Sequence, residues 1–379
     1  MMSGPASAPE GNPLNPSFPI GKVPAVLIEQ LWRQYASDDP SVIVGPGVGL
    51  DVAVVDIGDA FLVAKTDPIT FATDRIGWYA VHVCANDVAC SGARPEWFLA
   101  TVLLPEAEAG QELIQTIFDG IDQACRSIGA TWVGGHTEVT HGIDRPIVVG
   151  SLLGRVAKQD LVTSAGAQVD DRVYVAGAVP VEATAILARE FAPQLSGVFD
   201  AALLERCRHF LVDPGISVLE PAQLALASAA VHAMHDPTEG GLATGFWELA
   251  QASGVDLEIE AAAIPILPEG RALCQHFGLD PLGAIASGAL LFSVDEASVG
   301  SRLRSGWPPV DGCRPGGGRR RPSASDRGRP APAAAAPRAR RDRPPVRLTR
   351  DGCVLYYGAA WRRMTDGRLD RPHPVESPD

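Results

Sequence analysis

The seven cysteines of this chain form no CxxC pair and follow no regular spacing, so nothing in them suggests a disulfide framework. They read as the reduced thiols of a cytoplasmic protein. No apolar run approaches the roughly 20 residues that cross a bilayer, and no basic segment leads into an apolar one near Met1, so neither a membrane partner nor a secretory leader is expected. The phosphate-loop signature GxxxxGK[ST] is missing, and so is the kinase pairing of a glycine-rich loop with its catalytic loop. Both common nucleotide architectures are thereby excluded. A formal net charge of −13 also argues against a protein that grips nucleic acid over its whole surface.

What is present is ample core material: 379 residues, 46% of them hydrophobic, enough for two ordinary domains. Residues 1–24 are rich in Pro, Gly, Ser and Ala and are expected to form a flexible arm. Residues 25–157 alternate strand-like and helix-like runs. "VAVVDIG" and "AFLVAKTDPITF" are joined by a Gly-Asp hairpin signal, and "GQELIQTIFDGIDQACRSIG" has helical period and a glycine stop. A second domain is expected over 165–300, where "DRVYVAG" and "GALLFSV" read as strands, "VEATAILAREFA" as a helix and "DLEIEAAAIPIL" as an alternating strand. The pattern is that of an α+β protein. Residues 301–379 break it, with 18 arginines, no lysine and 8 acids among abundant Pro, Gly and Ala. That composition predicts a disordered tail. It fits an arm for nucleic acid or an acidic partner, and equally a GC-rich gene read out of frame.

The stretch "WVGGHTEVTHG" raises the question of zinc. His136 and His141 are five apart around a β-branched run, which does not match two ligands on one helix face. Gly134 and Gly135 read instead as a turn or close-approach point. On a following strand His136 and Glu138 would share a face, with His141 on the other. Acids beside small or turn residues recur: Asp51 in "GPGVGLDVAVVD", Asp67 in "VAKTDPITF", Asn86 and Asp87 in "CANDVACSGARP", Glu138 in "GGHTEVT", and Asp236 with Thr238 and Glu239 in "HDPTEGGL". Singly, each reads as a turn or cap. Together they are what Mg²⁺-dependent phosphoryl chemistry needs: hard oxygens for the metal, glycines that let backbone N–H groups approach phosphate, and Lys65 as a local cation.

In combination and order these pieces, with "DPGISVLEPAQLALA" and "DPLGAIASGALLFSV", resemble the aminoimidazole ribonucleotide (AIR) synthase superfamily over about residues 25–300. That superfamily includes HypE, thiamine-monophosphate kinase and selenophosphate synthetase, and the resemblance is nearest to the HypE-like members. It implies a two-domain PurM-like fold. The N-terminal sheet would pair across a homodimer into a β-barrel, and the C-terminal domain would be an α/β sandwich. ATP and Mg²⁺ would bind, with Asp51, Asp67, Asp87 and Asp236 on metal. Lys65, Asn86, Gly134, Gly135, Thr137, Thr238, Gly240 and Gly241 would lie around the nucleotide, and His136 and Glu138 would orient water, metal or substrate. The implied chemistry is phosphorylation of an amide or carbonyl oxygen of a small-molecule or protein substrate that the sequence does not identify.

Departures accompany the resemblance. Many relatives have two acids where this chain has Leu50-Asp51, and several have Asp in place of His136. HypE works through a C-terminal cysteine, whereas this chain ends "VESPD". A non-catalytic nucleotide-binding scaffold or sensor dimer is the alternative expectation.

Overall fold

The mixture of two-residue and helical periodicities folds into an α+β structure. The computed structural model describes residues 18, 22–35, 38–70, 72 and 74–300, together with 314–316 and 346–348. Most of the expected arm and of the Arg-rich tail, with its suggested nucleic-acid contact, lies outside the described residues. No described helix is long and apolar enough to cross a membrane.

After α1 (Ala25–Tyr35), the first domain is a six-stranded sheet. Its strands are β1 (Val42–Val44), β2 (Ala53–Asp56), β3 (Phe61–Ile69), β4 (Arg94–Pro105), β5 (Thr131–Thr140) and β6 (Ile147–Val156), in the order β1-β2-β3-β6-β4-β5. Neighbours are antiparallel except β4 with β5. A parallel pair needs a long crossover, and α3 (Gln111–Ile128) supplies it. With α2 (Ile76–Cys90) it covers the sheet, burying Val63, Phe98, Ile121 and Leu152 in one core. Nearly every residue of α2 is buried, so this helix has no solvent stripe.

The second domain has a three-stranded antiparallel sheet of β7 (Arg172–Ala176), β10 (Leu290–Val294) and β8 (Val231–His235), with β10 central and wholly buried. Around it lie α4 (Val181–Glu190), α5 (Ala192–Leu195), α6 (Ala201–His209), α7 (Leu219–Ser228), α8 (Gly241–Ser253) and α9 (Pro268–His276). β9 (Asp256–Ile259) is flanked by the tripeptides β11 (Arg314–Gly316) and β12 (Val346–Leu348).

Two local expectations change, and one strand was not foreseen. β5 runs unbroken through Gly134-Gly135, so this pair is no turn. It is a close approach, because a Cβ on Gly135 would stand 1.9 Å from the Ala100 carbonyl oxygen of β4. The "DLEIEAAAIPIL" strand stops at Ile259 and gives way to a 3₁₀ turn at Ala261–Ala263, where three alanines carry no β preference. β8 was masked in the sequence by the polar residues His232 and His235.

Candidate active site

On β3 the side chains of Phe61, Val63, Lys65 and Asp67 fall on one face by strand alternation, and the first two are in the core. The face that is apolar at the start of the strand therefore turns charged at its end, against α2. Lys65 Nζ lies 2.9 Å from Asp87 Oδ2 and 3.3 Å from Asp67 Oδ2. Asp87 is in the buried body of α2, so it is not the cap its sequence context suggested.

The second domain brings β8 to this point. His235 Nδ1 is 2.8 Å from Asp51 Oδ2, and its Nε2 is 2.9 Å from Glu248 Oε2 on α8. Asp236 follows at the strand end, buried, with neither carboxylate oxygen hydrogen bonded among the described residues. Like charge and exclusion of water decide the protonation of this set. Burial, then Asp236, holds Asp87 well above the usual carboxylate range although Lys65 opposes it. Burial and the charge of Asp51 push Asp236 up to about 7. Asp51 moves the other way: burial opposes ionisation, but His235, Lys65 and Lys22 outweigh it. Burial likewise opposes the Lys65 ammonium, yet Asp87, Asp67 and Asp51 hold it well above the ordinary lysine value.

The turn after Asp236 is shaped by two left-handed glycines, Gly240 and Gly241, at the start of α8. A Cβ on Gly241 would sit 2.4 Å from the Ala284 carbonyl oxygen. The start of α8 thus brings the positive end of a helix dipole beside the acids, although the Gly241 and Ala243 N–H groups already donate to the Thr238 and Leu282 carbonyls. Thr238 donates its hydroxyl to Glu239 Oε2 at 3.0 Å, and Lys22 Nζ lies 3.4 Å from the same carboxylate. Of the three lysines in the chain, Lys22, Lys65 and Lys158, two therefore converge here.

Asp51, Asp67, Asp87, Asp236 and Lys65 are brought together, with Thr238, Gly240 and Gly241 alongside. Other expected residues are placed elsewhere. Asn86 has both ends of its amide engaged: Nδ2 donates to the Ile216 carbonyl at 2.8 Å and Oδ1 accepts the Val218 N–H at 2.9 Å. It clasps the second domain with both ends of its amide. His136 and Glu138 pair with each other at 3.0 Å on exposed β5. The register Asp67–Gly150–Ala100–Gly135 puts three strand spacings, about 14 Å, between Asp67 and that edge. Gly134, Gly135 and Thr137 share the edge, so within one chain this group stands apart from the acids. His235, Glu248 and Lys22 were not foreseen; the one signal for His235 is its place directly before Asp236.

Among the described residues no three His, Cys, Asp or Glu side chains already converge as a metal-ligand set. The donor chemistry nevertheless fits a hard divalent cation, since a buried carboxylate with both oxygens unpartnered calls for a positive partner.

Models of two AIR synthase related domains match this chain, the N-terminal one over residues 49–156 and the C-terminal one over residues 169–305. The chain belongs to the AIR synthase related protein family. Carbamoyl dehydratase HypE of Cupriavidus necator is 30% identical over 285 residues, covering 72% of this chain and 75% of that protein. Among solved structures, ThiL complexed with AMPPCP and TMP superposes with a TM-score of 0.61 at 22% identity, covering 76% of this chain and 89% of its own. HypE in complex with ATP gives 0.52 at 22% identity, covering 78% and 86%. This likeness in fold spans both domains.

Proposed function

We propose that this protein is an ATP-dependent phosphoryl-transfer enzyme of the HypE-like group, acting on an amide or carbonyl oxygen of its substrate. The observation that carries the reading is Asp236, buried with both oxygens free of hydrogen bonds among the described residues, in the company of Asp51, Asp67, Asp87 and Lys65. The relatives that bind ATP or its analogue, and the relative named as a carbamoyl dehydratase, support it.

The four aspartates are the residues that would hold Mg²⁺, which when bound neutralises and orients phosphate oxygens. Lys65 would meet a phosphate as its carboxylate partners turn to the metal. The Gly240 N–H, at the positive end of the α8 dipole, would add a neutral donor for a phosphate oxygen. Catalysis here is positioning and charge neutralisation, for which no nucleophilic side chain is needed.

β5 bears Val133 and Val139, each more than half exposed, on an edge that no other described strand pairs. An exposed apolar edge calls for a cover, and we assign that role to a second copy of the chain, through pairing of the two sheets. His136 and Glu138, with Gly134, Gly135 and Thr137, would then face the partner's nucleotide. Calorimetric titration with a non-hydrolysable ATP analogue tests the reading. Binding should require Mg²⁺ and vanish in Asp236→Asn, whereas metal-independent binding of equal strength in that variant would defeat it.

A further inference from the structure

The junction of the two domains holds a cavity apart from the acids. α2 ends at Cys90 and the chain turns through left-handed Gly92 into β4, with α7 of the second domain facing it. Between them lies a cavity of about 240 Å³, walled by Ala89, Ala93 and Pro95 on one side and by Leu219, Ala222 and Leu226 on the other. Alanines on both walls leave this volume open, and a gap of that size in a close-packed junction costs stability unless something fills it. Asn86, one turn before Ala89, clasps the Ile216 carbonyl and the Val218 N–H just ahead of α7, so the two walls are fixed to one another. None of the acids and lysines of the candidate active site lines this cavity.

Its polar groups are Arg94 and Gln223, both exposed and therefore at the rim. The acid nearest in sequence, Glu96, is already taken: Arg155, which stands opposite Arg94 in the β4–β6 register, holds both its oxygens at 3.0 Å through Nε. Arg94 itself makes no ion pair among the described residues. A guanidinium fork matches a carboxylate through two parallel N–H···O bonds. One such arginine, on a chain of formal net charge −13, suits a monoanion better than a phosphate dianion. The apolar walls set the rest of the ligand. An apolar cavity of roughly 150 Å³ accepts a benzene ring, so about 240 Å³ takes a ring with a short acid arm.

We propose that this interdomain cavity binds a small monocarboxylate with a flat apolar body, its carboxylate on Arg94 and its body between Pro95 and the Leu219, Ala222 and Leu226 face of α7. Gln223 donates an amide N–H to the same carboxylate. Because the ligand touches both domains, binding stabilises their junction and raises the melting midpoint. The site needs no nucleotide, so it stands independently of the phosphoryl-transfer reading.

The test uses the full chain without nucleotide, titrated by ligand-observed NMR with phenylacetate, with its neutral isostere phenylacetamide and with acetate, which lacks the ring. Phenylacetate should bind and raise the melting midpoint, with phenylacetamide and acetate each at least about tenfold weaker. Arg94→Gln should weaken phenylacetate by about tenfold and abolish its advantage over phenylacetamide, with affinity for the non-hydrolysable ATP analogue unchanged. Ala222→Leu adds an isopropyl group inside the cavity and should block every probe. Arg94 is exposed and without an ion pair, so its variant should keep the fold and decide the matter even if Ala222→Leu unfolds. Phenylacetamide or acetate bound as tightly as phenylacetate, phenylacetate bound equally by wild type and Arg94→Gln, or no phenylacetate bound up to about 10 mM would each overturn the proposal. Loss of analogue affinity in Arg94→Gln would assign that arginine to the nucleotide and overturn it as well.

Discussion

Replacing Asn86 by alanine separates a structural clasp from a nucleotide ligand. The side chain is wholly buried and bridges two backbone groups of the opposite domain, the Ile216 carbonyl and the Val218 N–H. Truncation loses two hydrogen bonds and leaves both backbone groups in a dry junction. At about 1–3 kcal/mol for each of the two stranded groups, the expected loss is roughly 2–6 kcal/mol. Asn86→Asp refines the expectation: one oxygen still accepts the Val218 N–H, but the other confronts the Ile216 carbonyl unless it is protonated. That variant should therefore lose more stability as the pH rises. Denaturant unfolding measures the loss, and analogue titration under native conditions measures the site. An alanine variant as stable as the wild type but unable to bind nucleotide would refute the clasp and return Asn86 to the ligand set.

Lys65→Met should destabilise the metal-free protein by about 3–5 kcal/mol, because Asp67 and Asp87 lose their cation; Mg²⁺ should raise the melting midpoint more in the variant than in the wild type. An unchanged midpoint would show that those acids need no counter-charge. For Glu182, burial raises the folded value to about 7 from an ordinary 4.5, so the folded protein keeps a proton that the unfolded chain releases. Its stability contribution is complete below the lower value and is lost as pH rises through the upper one, about 3 kcal/mol in all. Melts at about pH 5 and about pH 8 should differ less in Glu182→Gln than in the wild type, and parallel profiles would count against a neutral Glu182. Gly241→Ala combines a left-handed backbone with a methyl 2.4 Å from a carbonyl oxygen, so at least about 1–2 kcal/mol should be lost along with analogue affinity. Equal affinity would show that the turn tolerates displacement.

Where a residue's role follows from local pattern, the sequence carried it. The helical period and Gly129 stop give α3 almost to the residue, and the apolar run "AFLVAKTDPITF" gives β3. Asp51, Asp67, Asp87 and Asp236 were legible as a set because their order matches a family, though no spacing brings Asp51 to His235 across 184 positions. Long-range placement was not legible. Asn86 and Asp87 are adjacent and equally polar, yet successive helical side chains diverge by about 100°. One turns to the second domain's backbone and the other to Lys65. Glu182 sits in a run that reads as an ordinary amphipathic helix, and only the tertiary fold buries its first turn.

The scarcity of lysine has a practical consequence. Lys158 pairs with Asp56 in the first domain, Lys22 is half exposed beside Glu239, and Lys65 is nearly enclosed between its aspartates. An amine-acylating reagent therefore meets side-chain targets of graded accessibility, two of them at the site. Mass spectrometry of the acylated peptides would report ligand occupancy directly, with Lys158 as the internal standard and no label engineered into the chain.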